Sequence, residues 1–265
     1  MKIAAAQLSA SQNKAENLDK ARNYIAQAKA AGADMVVFPE AFMAYIPKTD
    51  SLLYAQTAEA VDGHFVQALA AQAKQHNIYV ICGIYESIEG EDKRVYNTVV
   101  VLNRQGQLIY RYRKTHLYDA FSFRESLNII PGAEASVPIK TEFGHIGILV
   151  CYELRFPEVS RSLALQGANI LIVPAAWVAG TMKTDHLLSL SKVRALENTV
   201  FLCVVDQVGQ NYVGHSTIYN PMGRAIACLA VEEGLLVTDI DLEMIKTVRD
   251  TLPCLSQRRP YLYGY

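Results

Sequence analysis

Gly144-His145-Ile146-Gly147-Ile148-Leu149-Val150-Cys151-Tyr152-Glu153-Leu154-Arg155-Phe156-Pro157-Glu158 is the stretch whose reading decides the fold. Its apolar run, residues 145–150, is too short for a helix and reads as a strand. A polar turn follows at Cys151, and Pro157 opens a helix, because a first-turn position has no use for the N–H that proline lacks. Strand, turn and helix in that order are half of an α/β unit. Ligands in such folds sit beyond the carboxyl ends of strands. The turn also offers backbone N–H groups, from Tyr152 onward, to developing negative charge. Cys151 is thus a candidate nucleophile. A small buried structural cysteine is the plainer reading, and the polar residues that follow Cys151 weigh against it.

The other four cysteines carry no such context. Cys82, Cys203 and Cys228 lie in apolar segments and read as small buried hydrophobes. Cys254 sits beside a proline and nothing marks it. No C-x-x-C pair or zinc-like spacing occurs, and an odd, unpatterned count fits a reducing compartment.

Working outward, strands alternate with helices. Residues 2–8 read as a strand, and Leu18, Ala21, Ile25 and Ala28 recur at helical spacing over 14–30, with Gly32 as the stop. A short strand at 35–38, a helix at 64–75, and strands at 78–86, 95–102 and 108–113 follow. The second half repeats the theme: strand 145–150, helix 157–166, strand 169–173, helix 185–197. Strands come next at 201–206, 215–219, 225–229 and 235–240, and Asp241 is placed to cap a last helix. Two similar halves with helices covering sheets predict an α/β four-layer αββα sandwich, two sheets packed face to face with helices outside. One domain, 1–265, is expected.

Two more strand ends bear chemistry. Glu40 ends the apolar run Met35-Val36-Val37-Phe38-Pro39. Alternation puts it on the face of Val36 and Phe38, in apolar surroundings that would raise a carboxylate pKa toward that of a general base. Lys114 closes the strand 107–114 on the side of Leu108, Tyr110 and Tyr112, while Arg111 and Arg113 point away as a solvated or interface stripe. Lysine on an apolar face is unusual, since it is rarely buried unpaired. An exposed loop glutamate and a snorkelling lysine are the bland readings.

Phe38-Pro39-Glu40, Arg113-Lys114-Thr115-His116-Leu117 and Cys151-Tyr152-Glu153-Leu154-Arg155-Phe156-Pro157-Glu158, in that order, resemble the three signature motifs of the nitrilase superfamily of carbon–nitrogen hydrolases. The resemblance runs along essentially the whole chain and includes 214–217, 220–223 and 257–263. It implies that Glu40 is the general base, Lys114 the oxyanion stabiliser and Cys151 the nucleophile that forms a thioester, with no cofactor and no metal. Phe123-Arg124-Glu125-Ser126 matches a second glutamate of amidase members, so Glu125 is expected to position the substrate or Lys114. The Lys-Thr-His-Leu and Cys-Tyr-Glu forms resemble the ω-amidase and deaminated-glutathione amidase branch, which implies hydrolysis of a small, carboxylate-bearing linear amide. Such a substrate needs a cation: Arg155 is one candidate, Arg124 and Lys183 are others. The competing reading of Arg155 is an ion pair with Glu153, Glu158 or a facing subunit. Phe42, Tyr45, Tyr118, Phe121 and Trp177 are candidates for an apolar pocket lining, with Tyr152 beside the nucleophile; core packing is an equal reading for the five.

Composition narrows the partners. The 265 residues are 51% hydrophobic and 19% charged, with 25 basic against 26 acidic side chains and a formal net charge of −1. Nothing in that balance suggests nucleic acid or a membrane surface, and no apolar run approaches the roughly 20 residues of a membrane span. A soluble cytoplasmic enzyme acting on a small-molecule amide is expected, and the family resemblance implies a homodimer or larger homo-oligomer. The alternatives are an N-carbamoyl amino acid hydrolase or nitrilase of the same family, a Cys-His hydrolase of another fold, and an inactive ligand-binding or scaffold protein.

Overall fold

The strand–turn–helix unit around Cys151 is one of several, and together they build two six-stranded sheets. The computed structural model describes residues 1–47, 52–209 and 211–263. In chain order the elements are β1 (Lys2–Gln7), α1 (Lys14–Ala30), β2 (Met35–Val37), α2 (Leu52–Thr57), α3 (His64–His76), β3 (Tyr79–Glu86), β4 (Tyr96–Leu102), β5 (Leu108–Arg113) and β6 (Ile139–Thr141). Then come β7 (Gly144–Ile148), a 3₁₀ turn at Cys151–Arg155, α4 (Pro157–Leu165), β8 (Ile170–Ala175), α5 (Lys183–Asn198), β9 (Phe201–Asp206), β10 (Thr217–Tyr219), β11 (Ala225–Cys228), β12 (Gly234–Asp239) and α6 (Glu243–Thr251). The sheets are ordered β12-β1-β2-β3-β4-β5 and β11-β10-β9-β8-β7-β6. Each has three central parallel strands, β1-β2-β3 or β7-β8-β9, flanked by antiparallel ones.

Period-two alternation sorts the side chains into layers. Ile3, Ala5, Met35 and Val37 share one core with Ile146, Ile148, Ile172 and Val204 of the facing sheet. Ala4, Ala6, Val36 and Phe38 point the other way, onto Leu18, Ala21, Ile25 and Ala28 of α1 and Phe65 and Leu69 of α3. Leu163 of α4 and Leu187 and Ala195 of α5 are buried over the second sheet. The result is the αββα sandwich that the alternation of elements predicts. Among the described residues no helix is long and apolar enough to cross a membrane.

Some expectations shift. α2 and β6 have no counterpart in the sequence pattern: α2 buries no residue and β6 spans only three, so neither carries a periodic signal. α6 begins at Glu243, whose N–H is accepted by Asp241 Oδ1 at 3.1 Å, while Leu242 holds the cap position itself. Cys82 and Cys203 are buried as expected, but Cys228 is exposed. It lies on β11, an edge strand with little packed against it.

Candidate active site

Glu40, Lys114, Glu125 and Cys151 come from four separate segments and line one pocket at the ends of the facing sheets. The Glu40 segment is set by a close approach. The Gly83 N–H of β3 donates to the Pro39 carbonyl at 3.1 Å, and a Cβ on Gly83 would stand 2.5 Å from Ala41 N and 2.7 Å from Glu40 Cα. Only glycine lets the strand pass so near. Simple alternation would send Glu40 into the helix layer with Val36 and Phe38, and here the sequence reading is corrected. β2 ends at Val37, the chain turns over residues 40–43, and Ala41 takes φ +51°. The Glu40 carboxylate therefore emerges at the end of the inter-sheet space, in charged and polar surroundings rather than apolar ones.

Lys114 is 2% exposed. Its Nζ donates to Glu40 Oε1 at 2.9 Å and to Glu125 at 2.9 and 3.1 Å. Burial by itself lowers the ammonium's pKa, but Glu125 and Glu40 outweigh it and hold the value well above the ordinary one, so the group is charged. An ammonium has three N–H donors. Three carboxylate oxygens, one of Glu40 and two of Glu125, accept from them, so a further oxygen at Nζ has to take over one of the two Glu125 contacts. Asn97 Nδ2 bridges the same carboxylates, at 2.7 Å to Glu40 and 3.1 Å to Glu125. The second Glu40 oxygen accepts the Ala176 N–H at 2.8 Å, and Glu125 accepts the Tyr118 N–H at 2.6 Å. Arg111 and Arg113 face away as alternation predicts and clasp the buried Glu86.

Cys151 begins the 3₁₀ turn with φ +45°, a left-handed conformation that a side chain adopts at a cost of about 1–3 kcal/mol and that clusters at functional sites. Burial, then the charge on Glu40, pushes the thiol pKa well above its usual range, while Lys114 pulls against them. The resting group at neutral pH is a thiol. To act as a nucleophile it must lose its proton as it reacts, and a carboxylate lining the same pocket can take it. Among the described residues no histidine lines this pocket or the one adjoining it, so the geometry gives a Cys-His pair no support.

Two buried acids fix this arrangement from behind. Glu153 accepts hydrogen bonds from Tyr112 Oη (2.7 Å), Thr115 N–H (2.9 Å), Thr115 Oγ1 (2.7 Å) and Val150 N–H (2.8 Å), which ties the lysine segment to the cysteine segment. Burial raises its pKa but the hydrogen bonds from His116, Thr115, Val150 and Tyr112 prevail, so the net shift is downward. Asp206 accepts from Trp177 N–H at 2.7 Å and Gly214 N–H at 3.0 Å, pinning the peptide next to the Ala176 N–H that meets Glu40. Asp206→Asn swaps one accepting oxygen for an NH₂ group, and the unmade bond should cost about 1–3 kcal/mol. Thermal unfolding reads that as a lowered Tm; an unchanged Tm would contradict the pinning role.

The pocket, about 90 Å³ in volume, is completed by Tyr45, Tyr54, Tyr85, Phe123, Ile129 and Tyr212 among others. A second pocket shares Tyr118, Cys151, Ala176 and Val178 with it and adds Tyr152, Arg155, Trp177 and Lys183. Of the expected binding residues, Tyr45 lines the first pocket, and Tyr152, Arg155 and Trp177 line the second. Phe121 lines neither. Its backbone turns outward at φ +52°, the ring is 66% exposed, and it covers Lys183 Nζ at 3.9 Å from the centroid. Phe42 stacks on Phe38 in the helix-side core, and Arg124 is exposed. Arg155 makes no ion pair with Glu153 or Glu158; its guanidinium lies 4.9 Å from the Trp177 ring, with Nη2 3.3 Å from His186 Nδ1. Asn97, Asp206 and the Ala176 N–H escaped the sequence reading. Asn97 and Asp206 left one trace each, a polar residue inside or ending an apolar strand.

A family model described as carbon–nitrogen hydrolase matches residues 2–250. Deaminated glutathione amidase of Escherichia coli O157:H7 is 33% identical over 259 residues, covering 98% of this chain and 97% of that protein. Human omega-amidase NIT2 is 33% identical over 274 residues, covering 99% and 96%. Among solved structures, a Glu-to-Gln mutant of the amidase from Nesterenkonia sp. AN1 superposes with a TM-score of 0.84 at 26% identity, covering 100% of this chain and 95% of that one. It shows covalent addition of the acetamide moiety of fluoroacetamide at the active-site cysteine.

Proposed function

This chain belongs to the carbon–nitrogen hydrolase family, and on that premise we propose that it hydrolyses a small, carboxylate-bearing linear amide through a thioester on Cys151. The observation that carries the reading is the convergence of Glu40, Lys114 and Cys151 on one pocket, with Glu125 holding the lysine. The Cys151 sulfur attacks the amide carbon while Glu40 takes the thiol proton. The carbonyl oxygen becomes an oxyanion, met by the Lys114 ammonium and by the Tyr152 backbone N–H. The C–N bond then breaks, Glu40 returns its proton to nitrogen, and ammonia departs. Water attacks the thioester with Glu40 again taking a proton; the C–S bond breaks, the carboxylate leaves and the thiol is restored.

The second pocket supports the substrate's charge. Arg155 and Lys183 line it and, among the described residues, no acidic side chain does. The names of the relatives, deaminated glutathione amidase and omega-amidase, agree with an acid-bearing amide.

A substrate panel tests this: α-ketoglutaramate, deaminated glutathione, neutral aliphatic amides, carbamoyl amino acids and nitriles, with both products identified. Fastest turnover of the acid-bearing amides supports the reading; turnover confined to nitriles or carbamoyl compounds defeats it. Glu40→Gln separates the base from the nucleophile. Amide turnover should fall by at least about 10²-fold, while fluoroacetamide still labels Cys151, as the corresponding adduct exists in the Nesterenkonia mutant. Turnover within tenfold of wild type would remove Glu40 from the base role.

A further inference from the structure

We propose that Lys183 is a specificity-determining residue which, beside Arg155, selects amides whose acyl part carries two negative charges over those carrying one or none. The inference rests on the carboxylate reading above and adds a second charge to it.

Charge accounting in the second pocket carries the argument. Several other buried and half-buried cations are matched with carboxylates, Lys114 with Glu40 and Glu125, Arg194 with Glu197, Arg113 with Glu86 and Arg104 with Asp34, whereas Arg249 donates only to the Thr199 hydroxyl. Among the described residues Lys183 and Arg155 have no such partner. Lys183 is only 6% exposed, at the start of α5. Its Nζ donates to Tyr118 Oη at 2.7 Å and lies 3.9 Å from the Phe121 ring centroid and 4.8 Å from that of Tyr118. One of its three N–H donors is thereby used and two remain. Arg155 Nε is buried without a hydrogen-bond partner, which leaves part of the fork that grips a carboxylate free.

Holding a buried and a half-buried cation side by side with no counter-charge is unfavourable, and burial together with Arg155 depresses the Lys183 pKa. A single carboxylate entering this pocket would leave one positive charge unmatched. Two anionic groups match both. The pocket is about 20 Å³ in volume and borders Cys151, so the anionic end of an acyl group bonded to the sulfur reaches the cations from the larger adjoining pocket. The planar guanidinium suits one carboxylate, and the compact ammonium suits a second group.

A charge ladder tests the proposal: valeramide, glutaramate, and glutaramate with a further carboxylate on its acyl chain, assayed for kcat and KM with wild type, Lys183→Met and Lys183→Arg. In wild type each added charge should raise kcat/KM by at least about tenfold. Lys183→Met should abolish the upper step, chiefly through KM, and Lys183→Arg should largely restore it. A misfolded fraction lowers every rate equally and leaves these ratios intact. If wild type has the lower step and no upper one, or if Lys183→Met keeps the upper step, the Lys183 inference fails and the carboxylate reading stands. If wild type shows no step at all, the carboxylate reading falls with it.

Discussion

Replacing Cys151 by alanine is expected to lower ammonia release from an amide by at least about 10⁴-fold, the scale on which loss of a nucleophile disables comparable triads. Among the described residues neither pocket offers a substitute: no serine, threonine, histidine or second cysteine lines them. Tyr54 and Tyr85 are poor replacements, since burial first of all raises the pKa of Tyr54 to about 12 and holds that of Tyr85 well above its ordinary value. The fold should tolerate the change, because alanine removes one sulfur from a pocket wall and keeps the left-handed turn. Residual hydrolysis would come from water activated by Glu40 near Lys114. Turnover above one tenth of wild type would mean that the reaction needs no thioester.

Lys114→Met should damage both chemistry and stability. The oxyanion loses a donor, worth at least about 100-fold in turnover. Glu40 and Glu125 are then left close together and largely buried without the ammonium that joins them. Breaking a buried ion cluster from one side costs about 3–5 kcal/mol. Asn97, which donates to both carboxylates, softens the loss without supplying charge. Steady-state kinetics and urea unfolding measure the two effects separately. A variant with near-normal kcat and an unchanged unfolding midpoint would contradict this account of Lys114.

These two side chains were legible in the sequence because each ends an apolar strand, and strand ends are where α/β folds gather function. The sandwich was legible for the same reason: Leu18, Ala21, Ile25 and Ala28 keep helical spacing, and the strands keep period two. What stayed hidden depends on chain reversals and on backbone. Alternation puts Glu40 on the wrong face because it holds only while the strand lasts, and β2 stops three residues earlier. Phe121 was expected in the pocket on its aromatic character, yet two consecutive left-handed residues, Phe121 and Ser122, turn it outward. Glu153 looked like a partner for Arg155 by proximity along the chain. It serves Tyr112 and Thr115 instead, about forty residues away, and no local pattern could announce that. The Ala176 N–H has no side-chain signature at all. Family resemblance brought Glu125 forward; read alone, a glutamate in a loop says little.

The thioester on Cys151 is the central claim, and rapid-quench mass spectrometry tests it most directly. The enzyme is mixed with excess amide, acid-quenched within a fraction of a turnover and digested. The account predicts a peptide containing Cys151 heavier by the acyl group, formed and lost at rates that match ammonia release, and absent from Cys151→Ala. Full ammonia release with no adduct on Cys151 at any time, or an adduct on another residue that forms at the turnover rate, would contradict it.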